Sequence, residues 1–207
     1  MLRAWAAGFV PGAADGPLAG GSSYRLTRAA PVARGQRRIE LGPAWLDARL
    51  SLRLATDADR EPLFAWHRDA FHDHIEQIWG WDADWQRNDF SKLVEHVPTF
   101  VVVLDNLAVG YLQLLTRRDA LHLVNLALTE SVRGQRIGSQ LLVWLKQRAL
   151  AAGLALTLGV FVTNPRARAF YERHGFELSE TTLTHWRMRW PVATPGGGPA
   201  PKACQHE

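Results

Sequence analysis

The sequence has almost no cysteine and no long uninterrupted apolar run, and these absences exclude several classes of protein. Cys204 is the only cysteine among 207 residues, so the chain cannot form an internal disulfide. The longest apolar run, ALAAGLALTLGVFV, is interrupted by Gly153 and is shorter than the roughly 20 residues of a membrane-spanning helix. The first residues, broken by Pro11, make a poor secretory signal. We therefore expect a cytoplasmic protein with no membrane partner.

Net charge is scarce on the part of the chain that carries folded patterns. The whole chain has a net charge of +4, but residues 1–48 supply +3 of it through six arginines against three acidic residues. A basic face for nucleic acid is therefore poorly supported on residues 49–190, and we expect no nucleic-acid partner. The alternative is binding through the Arg-rich N-terminal segment, with a salt-dependent affinity that disappears when residues 1–48 are removed.

Two common phosphate-binding loops are also missing, because the sequence has neither a Walker loop nor a G-x-G-x-x-G fingerprint. In their place stands TESVRGQRIGSQLLVWL, where apolar residues recur every fourth position from Ile137 and predict a helix beginning near Gly138. The first N–H groups of such a helix attract anions, and Arg133 and Arg136 add positive charge. These residues alone fit either an anion site or an ordinary strand-to-helix turn.

The length and composition predict one domain with two flanking segments. Residues 1–48 are rich in Gly, Ala and Arg without a sustained period, so we expect a disordered N-terminal extension. Residues 49–190 carry the folded patterns and are expected to form the one folded domain. The remainder, residues 191–207, is rich in Pro and Gly and is expected to be a flexible C-terminal tail.

The folded segment alternates between strand and helix patterns. LSLRLA predicts a strand, TDADREPLFAWHRDAF and WDADWQRNDFSKLV predict helices, and TFVVVLDNLAVGYLQLLTRRDALHLVNLAL predicts three antiparallel strands. After the helix near Gly138, LALTLGVFV predicts a buried strand and FELSETTLTHWRMRW two more. Between these, NPRARAFYERHG predicts a helix with Asn164 as its N-cap and Gly175 past its end. This order predicts an α/β fold with a mixed, mostly antiparallel central sheet and helices on both faces.

This arrangement resembles the GNAT superfamily of acyl-CoA-dependent N-acyltransferases over residues 50–190. RGQRIGSQLL is similar to the family pattern Q/R-x-x-G-x-G/A, which begins the helix that receives the pyrophosphate of coenzyme A. Arg133 and Gly138 match the ends of this pattern, whereas Arg136 stands at its middle glycine. NPRARAFYERHGF resembles the Asn…Tyr helix of the family. The resemblance implies that residues 49–190 form a GNAT-like acetyltransferase domain with the acyl-CoA N-acyltransferase fold. It also implies acetyl-CoA as acyl donor, an amine acceptor, and either a monomer or a homodimer.

The resemblance also implies which residues bind the coenzyme. Backbone amides at the start of the loop helix would bind the pyrophosphate. In this family the fourth and fifth strands splay apart around the pantetheine arm, and the corresponding residues here are 125–128 and 159–162. The expected cofactor-binding residues are Leu126, Leu128, Arg133, Gly134, Gln135, Arg136, Ile137, Gly138, Ser139 and Asn164.

Two catalytic roles follow from the resemblance together with the chemistry of amide formation. Tyr171 lies two helical turns after Asn164 and on the same helical face, where it would protonate the leaving thiolate. A tyrosine beside Phe170 would otherwise be interpreted as packing. A backbone N–H at Leu126 or Leu128 would stabilise the oxyanion.

The general base is less clearly marked, because Ala127 stands where many relatives carry a glutamate. The candidates are Glu76, His122 and His185, or a water held by one of them. His185 ranks first, since its strand runs close to the active site in this fold. A half-buried strand histidine with no catalytic role is an equally good interpretation of His185.

Residues 71–90, FHDHIEQIWGWDADWQRNDF, resemble the WGWD region of small bacterial members of the superfamily and are expected to face the acceptor. Their tryptophans and carboxylates would attract a protonated amine, although the tryptophans can equally pack this segment on the sheet. We expect no metal site here, because His72 and His74 are two residues apart and point to opposite sides of a helix.

The resulting hypothesis is an acetyl-CoA-dependent N-acetyltransferase that acts by direct attack of a primary amine of a small molecule or peptide. A non-catalytic acyl-CoA-binding or regulatory protein on the same fold is the alternative. The departures at Ala127 and Arg136 make this alternative credible.

Overall fold

A computed structural model of the chain describes residues 42–191. The predicted C-terminal tail, with Cys204, lies outside the described residues, apart from residue 191, and so does most of the predicted N-terminal extension. The account below concerns residues 42–191 alone.

The elements follow the order that the sequence predicts, preceded by one short additional strand. The strands are β1 (Ala44–Trp45), β2 (Leu50–Leu54), β3 (Thr99–Leu104), β4 (Leu107–Thr116), β5 (Ala120–Leu128), β6 (Ala155–Phe161), β7 (Glu177–Thr181) and β8 (His185–Trp190). The helices are α1 (Arg60–Trp79), α2 (Ala83–His96), α3 (Ile137–Ala152) and α4 (Pro165–Arg173). Strand β1 lies in the stretch that the sequence assigned to the N-terminal extension, and it pairs with β2.

The described strands form one mixed, mostly antiparallel sheet in the order β1-β2-β3-β4-β5-β6-β8-β7. Neighbouring strands are antiparallel except for β5 and β6, which run parallel at the centre. Helix α3 connects this parallel pair, as a parallel connection requires a crossover. The predicted fold class is confirmed.

Helices cover both faces of the sheet, and each face has its own apolar cluster. Leu112 and Leu114 of β4 pack in the cluster that includes Leu141 of α3, on what we call the α3 face. Tyr111, the residue before Leu112, packs instead with Leu63 of α1, on the α1 face. This alternation follows from the two-residue period of a strand.

A bulge in β5 interrupts that alternation. The register with β4 shifts between Gln113 and Leu114, which leaves Val124 as an extra residue on β5. Leu123 before the bulge and Leu126 after it both pack against the α3-face cluster, although they are three residues apart. A regular strand would place them on opposite faces, so the bulge reverses the orientation of every later side chain of β5.

Turn and cap residues explain where several elements end. Asp105 and Asn106 have positive φ angles of 49° and 64° and close the tight turn between β3 and β4. The Asn164 side chain accepts a hydrogen bond of 2.9 Å from the Ala167 N–H and caps α4. Gly175 follows α4 with a φ of 72°. Asn164 and Gly175 are the residues that the sequence marks as the N-cap and the end of this helix.

Two further properties concern the described part of the chain alone. None of its helices is both long and apolar enough to cross a membrane. Within residues 42–191, no three side chains of His, Cys, Asp or Glu lie close enough together to hold a metal ion.

Candidate active site

The sheet opens between its two central strands. The parallel pairing of β5 with β6 ends at Leu123 and Leu158. From there β5 continues to Leu128 against β4, and β6 continues to Phe161 against β8. The gap between β5 and β6 therefore begins at the bulge of β5. It lies between residues 125–128 and 159–162, the two segments that the resemblance predicts to splay apart.

The loop that leads into α3 closes one end of this gap. Gly134 and Arg136 both have positive φ angles, of 81° and 63°, and α3 begins at Ile137. A non-glycine residue in this left-handed conformation costs roughly 1–2 kcal/mol. The turn geometry therefore explains why the family pattern has a glycine where this chain carries Arg136.

Side chains of the loop brace it against the end of β5. The Arg133 Nε donates to the Leu128 carbonyl at 3.1 Å, and the Gln135 amide donates to the Ser131 carbonyl at 2.8 Å. Arg133 is thus engaged with the strand through its Nε, while its side chain remains exposed. The first backbone N–H groups of α3 have no acceptor within the helix, so the loop presents donors for an anion.

Helix α4 packs directly on the start of α3. A Cβ atom added to Gly138 would lie 3.2 Å from Cζ of Phe170, so this glycine leaves room for the aromatic ring. The His174 Nε2 lies 2.9 Å from the Ser139 hydroxyl, and Lys146 donates to the His174 carbonyl. Gly138 and Ser139 therefore serve the contact between α3 and α4.

Tyr171 lies on α4 and packs on the α3 face. Its ring centroid is 5.2 Å from that of Phe170 and 5.5 Å from that of Phe176. Burial raises the pKa of the Tyr171 hydroxyl above its ordinary value. The phenol therefore stays protonated at neutral pH and keeps a proton that it can donate.

His185 begins β8 and lies on the α1 face. Its ring centroid is 4.6 Å from that of Phe161 and 6.2 Å from that of Trp79. A Cβ atom on Gly159 would lie 3.6 Å from Cδ2 of the imidazole, which is an ordinary van der Waals contact. The His185 ring therefore lies over β6 at Gly159, within the part of β6 that no longer pairs with β5.

The hydrogen bonding of His185 is incomplete. Its Nδ1 lies 2.9 Å from the Thr184 hydroxyl, whereas its Nε2 is buried and has no hydrogen-bond partner among the described residues. Burial, and secondarily the charge of Arg187, lower the pKa of His185 to about 4. When Nδ1 donates to Thr184, Nε2 carries a lone pair that can accept a proton.

The other two base candidates occupy different environments. Glu76 is exposed, and its carboxylate accepts a hydrogen bond from the Trp81 N–H in the turn after α1. His122 is buried in the closed, paired part of β5 and β6, where its Nδ1 lies 2.9 Å from the Thr157 hydroxyl. Of the three candidates, His185 combines a position beside the gap with a ring nitrogen that has no hydrogen-bond partner within residues 42–191.

The segment expected to face the acceptor contributes unequally to the site. Trp79 lies beside the end of β6, with its ring 6.1 Å from Phe161. The nearby His74 Nδ1 lies 3.0 Å from the Thr163 hydroxyl, which ties α1 to the chain after β6. Trp81 packs instead on His72, with ring centroids 4.8 Å apart. The aromatic wall of the gap is therefore formed by Trp79 together with Phe161 and His185.

A chain of buried polar side chains beside the bulge was not predicted from the sequence. The Asn125 amide donates to Gln113 at 2.8 Å, and the Gln113 amide donates to the Thr99 hydroxyl at 3.0 Å. The Thr99 hydroxyl donates in turn to the Val97 carbonyl at 2.9 Å. These bonds connect three strands at the bulge. Single polar residues inside the apolar runs YLQLLT and LVNLAL are the signal that could have identified them.

A central sheet that opens beside the N-terminus of its crossover helix defines the acyl-CoA N-acyltransferase class. The profile of the Acetyltransferase (GNAT) family matches residues 57–176, and the chain belongs to this family. The acyl donor of this family is acetyl-CoA. No curated protein matches the chain in a sequence comparison.

Solved structures agree with the fold. The PaiA N-acetyltransferase of Thermoplasma acidophilum, in complex with coenzyme A, is 17% identical with a TM-score of 0.56, and the match covers 69% of this chain and 99% of that one. An acetyltransferase of Thermus thermophilus is 22% identical with a TM-score of 0.58, covering 70% and 97% of the two chains. A protein of Salmonella typhimurium with its cofactor acetyl-CoA is 18% identical with a TM-score of 0.50, covering 75% and 99%.

The backbone at Arg136 generates a stability prediction. We expect the free energy of unfolding of Arg136→Gly to exceed that of Arg136→Ala by about 1 kcal/mol, with a correspondingly higher urea midpoint. Both variants lose the charge, whereas only alanine keeps the strain of a positive φ angle. Urea titration of the three proteins measures the difference. Equal midpoints for the glycine and alanine variants would show that the φ angle is not the constraint at this position.

Proposed function

We propose that this protein is a cytoplasmic N-acetyltransferase that transfers the acetyl group of acetyl-CoA to a primary amine of a small molecule or peptide by direct attack. The observation that carries the proposal is the buried Nε2 of His185, which has no partner in residues 42–191 and lies beside the gap between β5 and β6. The related structures that hold coenzyme A or acetyl-CoA support the choice of donor.

The donor would bind along the gap. Backbone N–H groups of Ile137, Gly138 and Ser139 would bind the pyrophosphate at the positive end of the α3 dipole, and Arg136 would add charge. The pantetheine arm would lie between β5 and β6 and pair with their facing backbone groups. The thioester carbonyl would then lie beside the bulge, where the N–H of Leu126 or Leu128 is the candidate oxyanion donor.

The two candidate catalytic side chains lie on opposite faces of the sheet. His185 is on the α1 face, with the aromatic wall that includes Trp79, and Tyr171 is on the α3 face. The amine would attack from the α1 face, forming the C–N bond as His185 Nε2 takes a proton from nitrogen. The C–S bond would then break as Tyr171 gives its proton to sulfur. In this arrangement the attacking nitrogen and the leaving sulfur would each have a proton-transfer group on its own side of the sheet.

A non-catalytic acyl-CoA-binding protein remains the second candidate. Ala127, where many relatives carry a glutamate, is buried in the α1-face cluster and offers no proton acceptor. If His185 serves only packing, the site retains a coenzyme-binding loop without a base.

Thiol release over a panel of amines and peptide N-termini distinguishes the two functions. We expect acetyl-CoA to bind and free thiol to appear with at least one primary amine, in proportion to acetylated product. The control is the same panel without protein. Coenzyme binding with no turnover on any amine would support the non-catalytic candidate.

Tyr171→Phe tests the proposed acid. Phenylalanine keeps the ring contacts with Phe170 and Phe176, so folding and acetyl-CoA affinity should stay unchanged. The lost proton should lower kcat at saturating acetyl-CoA by about 100-fold, near the lower end for positioned acid catalysis, because a thiolate is already a fair leaving group. A kcat within about threefold of the unmodified protein would exclude the hydroxyl as the acid.

His185→Gln tests the proposed base. Glutamine keeps a polar group beside Thr184 but has no nitrogen that accepts a proton, so kcat should fall by about 100-fold, the lower end for positioned base catalysis, with acetyl-CoA affinity retained. Steady-state kinetics and coenzyme titration measure the two effects. The opposite pattern, weaker coenzyme binding with normal kcat, would assign His185 to packing beside the gap.

A further inference from the structure

His174 connects the last turn of α4 to the first turn of α3 through both of its ring nitrogens. Its Nδ1 lies 2.8 Å from the Phe170 carbonyl, one turn earlier on α4. Its Nε2 lies 2.9 Å from the hydroxyl of Ser139, which is 35 residues away in sequence. Ser139 is the third residue of α3, within the turn where the pyrophosphate of coenzyme A is proposed to bind.

These two contacts determine the direction of each hydrogen bond. A carbonyl oxygen can only accept, so the His174 Nδ1 must carry a hydrogen. In the neutral ring Nε2 is then a bare acceptor, and the Ser139 hydroxyl must donate to it. With its only hydrogen directed at His174, Ser139 presents lone pairs to any anion at the start of α3.

Protonation of the ring reverses the second bond. In the imidazolium form both nitrogens donate, so Nε2–H donates to the Ser139 oxygen and the serine hydrogen becomes free. That hydrogen can then donate to a phosphate oxygen, and the new positive charge lies one side chain away from the anion. The bare acceptor becomes a donor without movement of either helix.

We propose that His174 is a positioning residue whose protonation turns the Ser139 hydroxyl toward the pyrophosphate and strengthens coenzyme binding. The proposal rests on the proposed function, because it takes the start of α3 as the pyrophosphate site. It makes the affinity for the coenzyme higher when the His174 ring is protonated than when it is neutral.

The charges around His174 bear on this equilibrium. From α3, Lys146 donates to the His174 carbonyl and brings a positive charge close to this turn. On α4, Arg173 adds a second positive charge, while Glu172 is paired with Arg168. On the β8 side the nearest residue to the turn is the uncharged Trp190, beside Gly175. A bound pyrophosphate would supply the compensating negative charge, so coenzyme binding and proton uptake should favour each other.

His96 provides a matched control. Its Nδ1 lies 2.7 Å from the Lys92 carbonyl, the same bond to the preceding helical turn that His174 makes. His96 lies at the exposed end of α2, away from Ser139. Its replacement removes an imidazole of the same local geometry without changing the start of α3.

The experiment is calorimetric titration of the full chain with dephospho-CoA between about pH 5.5 and 8.5, where imidazoles titrate. This ligand keeps the pyrophosphate and lacks the 3′-phosphate, whose own ionisation would obscure the result. We expect the dissociation constant to fall roughly tenfold on acidification, the size of one hydrogen bond to a charged acceptor. Ser139→Ala and His174→Gln should remove most of this change, and His96→Gln should retain it.

The outcomes separate the inference from the proposed function. No binding of dephospho-CoA or acetyl-CoA at any pH would contradict the proposed function and the inference together. Binding with the same pH dependence in Ser139→Ala as in the unmodified protein would contradict the inference alone. A measurement on the unmodified protein does not depend on variant folding: in nitrogen-15 spectra near neutral pH, dephospho-CoA should increase the protonated fraction of His174, and an unchanged fraction would overturn the proposal.

Discussion

The structure depends on the place where β5 and β6 stop pairing. Two central parallel strands would ordinarily satisfy each other's backbone groups along their length, and here the pairing ends at Leu123 and Leu158. The bulge at Val124 is the local cause, because an extra residue bends and twists the strand that carries it. Buried polar bonds from Asn125 through Gln113 to Thr99 hold the bulged part of β5 against β4, so the opening is a fixed feature of the sheet.

The contact between α3 and α4 determines what lies around that opening. Gly138 leaves space for the Phe170 ring, and the Ser139 hydroxyl forms a hydrogen bond with His174. The start of α3 and the helix that carries Tyr171 are therefore joined by direct contacts. An anion at the start of α3 therefore lies next to the same helix that supplies the proposed acid. Coenzyme binding and the position of Tyr171 are thus connected through two adjacent residues, of which Gly138 contributes by leaving space for the Phe170 ring.

The sequence predicts the parts of this arrangement that local signals specify. Asn164 and Gly175 mark the ends of α4 correctly, since capping and positive φ each need particular residues. The bulge leaves no such mark, because LHLVNLAL is apolar on either side of Val124 and permits both alternations. The contact of Ser139 with His174 joins residues far apart in sequence, and tertiary packing alone creates it.

The environments of the two proposed catalytic groups have a common consequence. Burial raises the pKa of Tyr171 and lowers that of His185 to about 4, so each group is held in one protonation state near neutral pH. Both are the states that the proposed reaction needs, a phenol that can give a proton and an imidazole that can take one. Neither group would then control the rate through its own titration between about pH 5 and 9. The pH dependence of the chemical step would report the ionisation of the acceptor amine, which must lose its proton before it can attack.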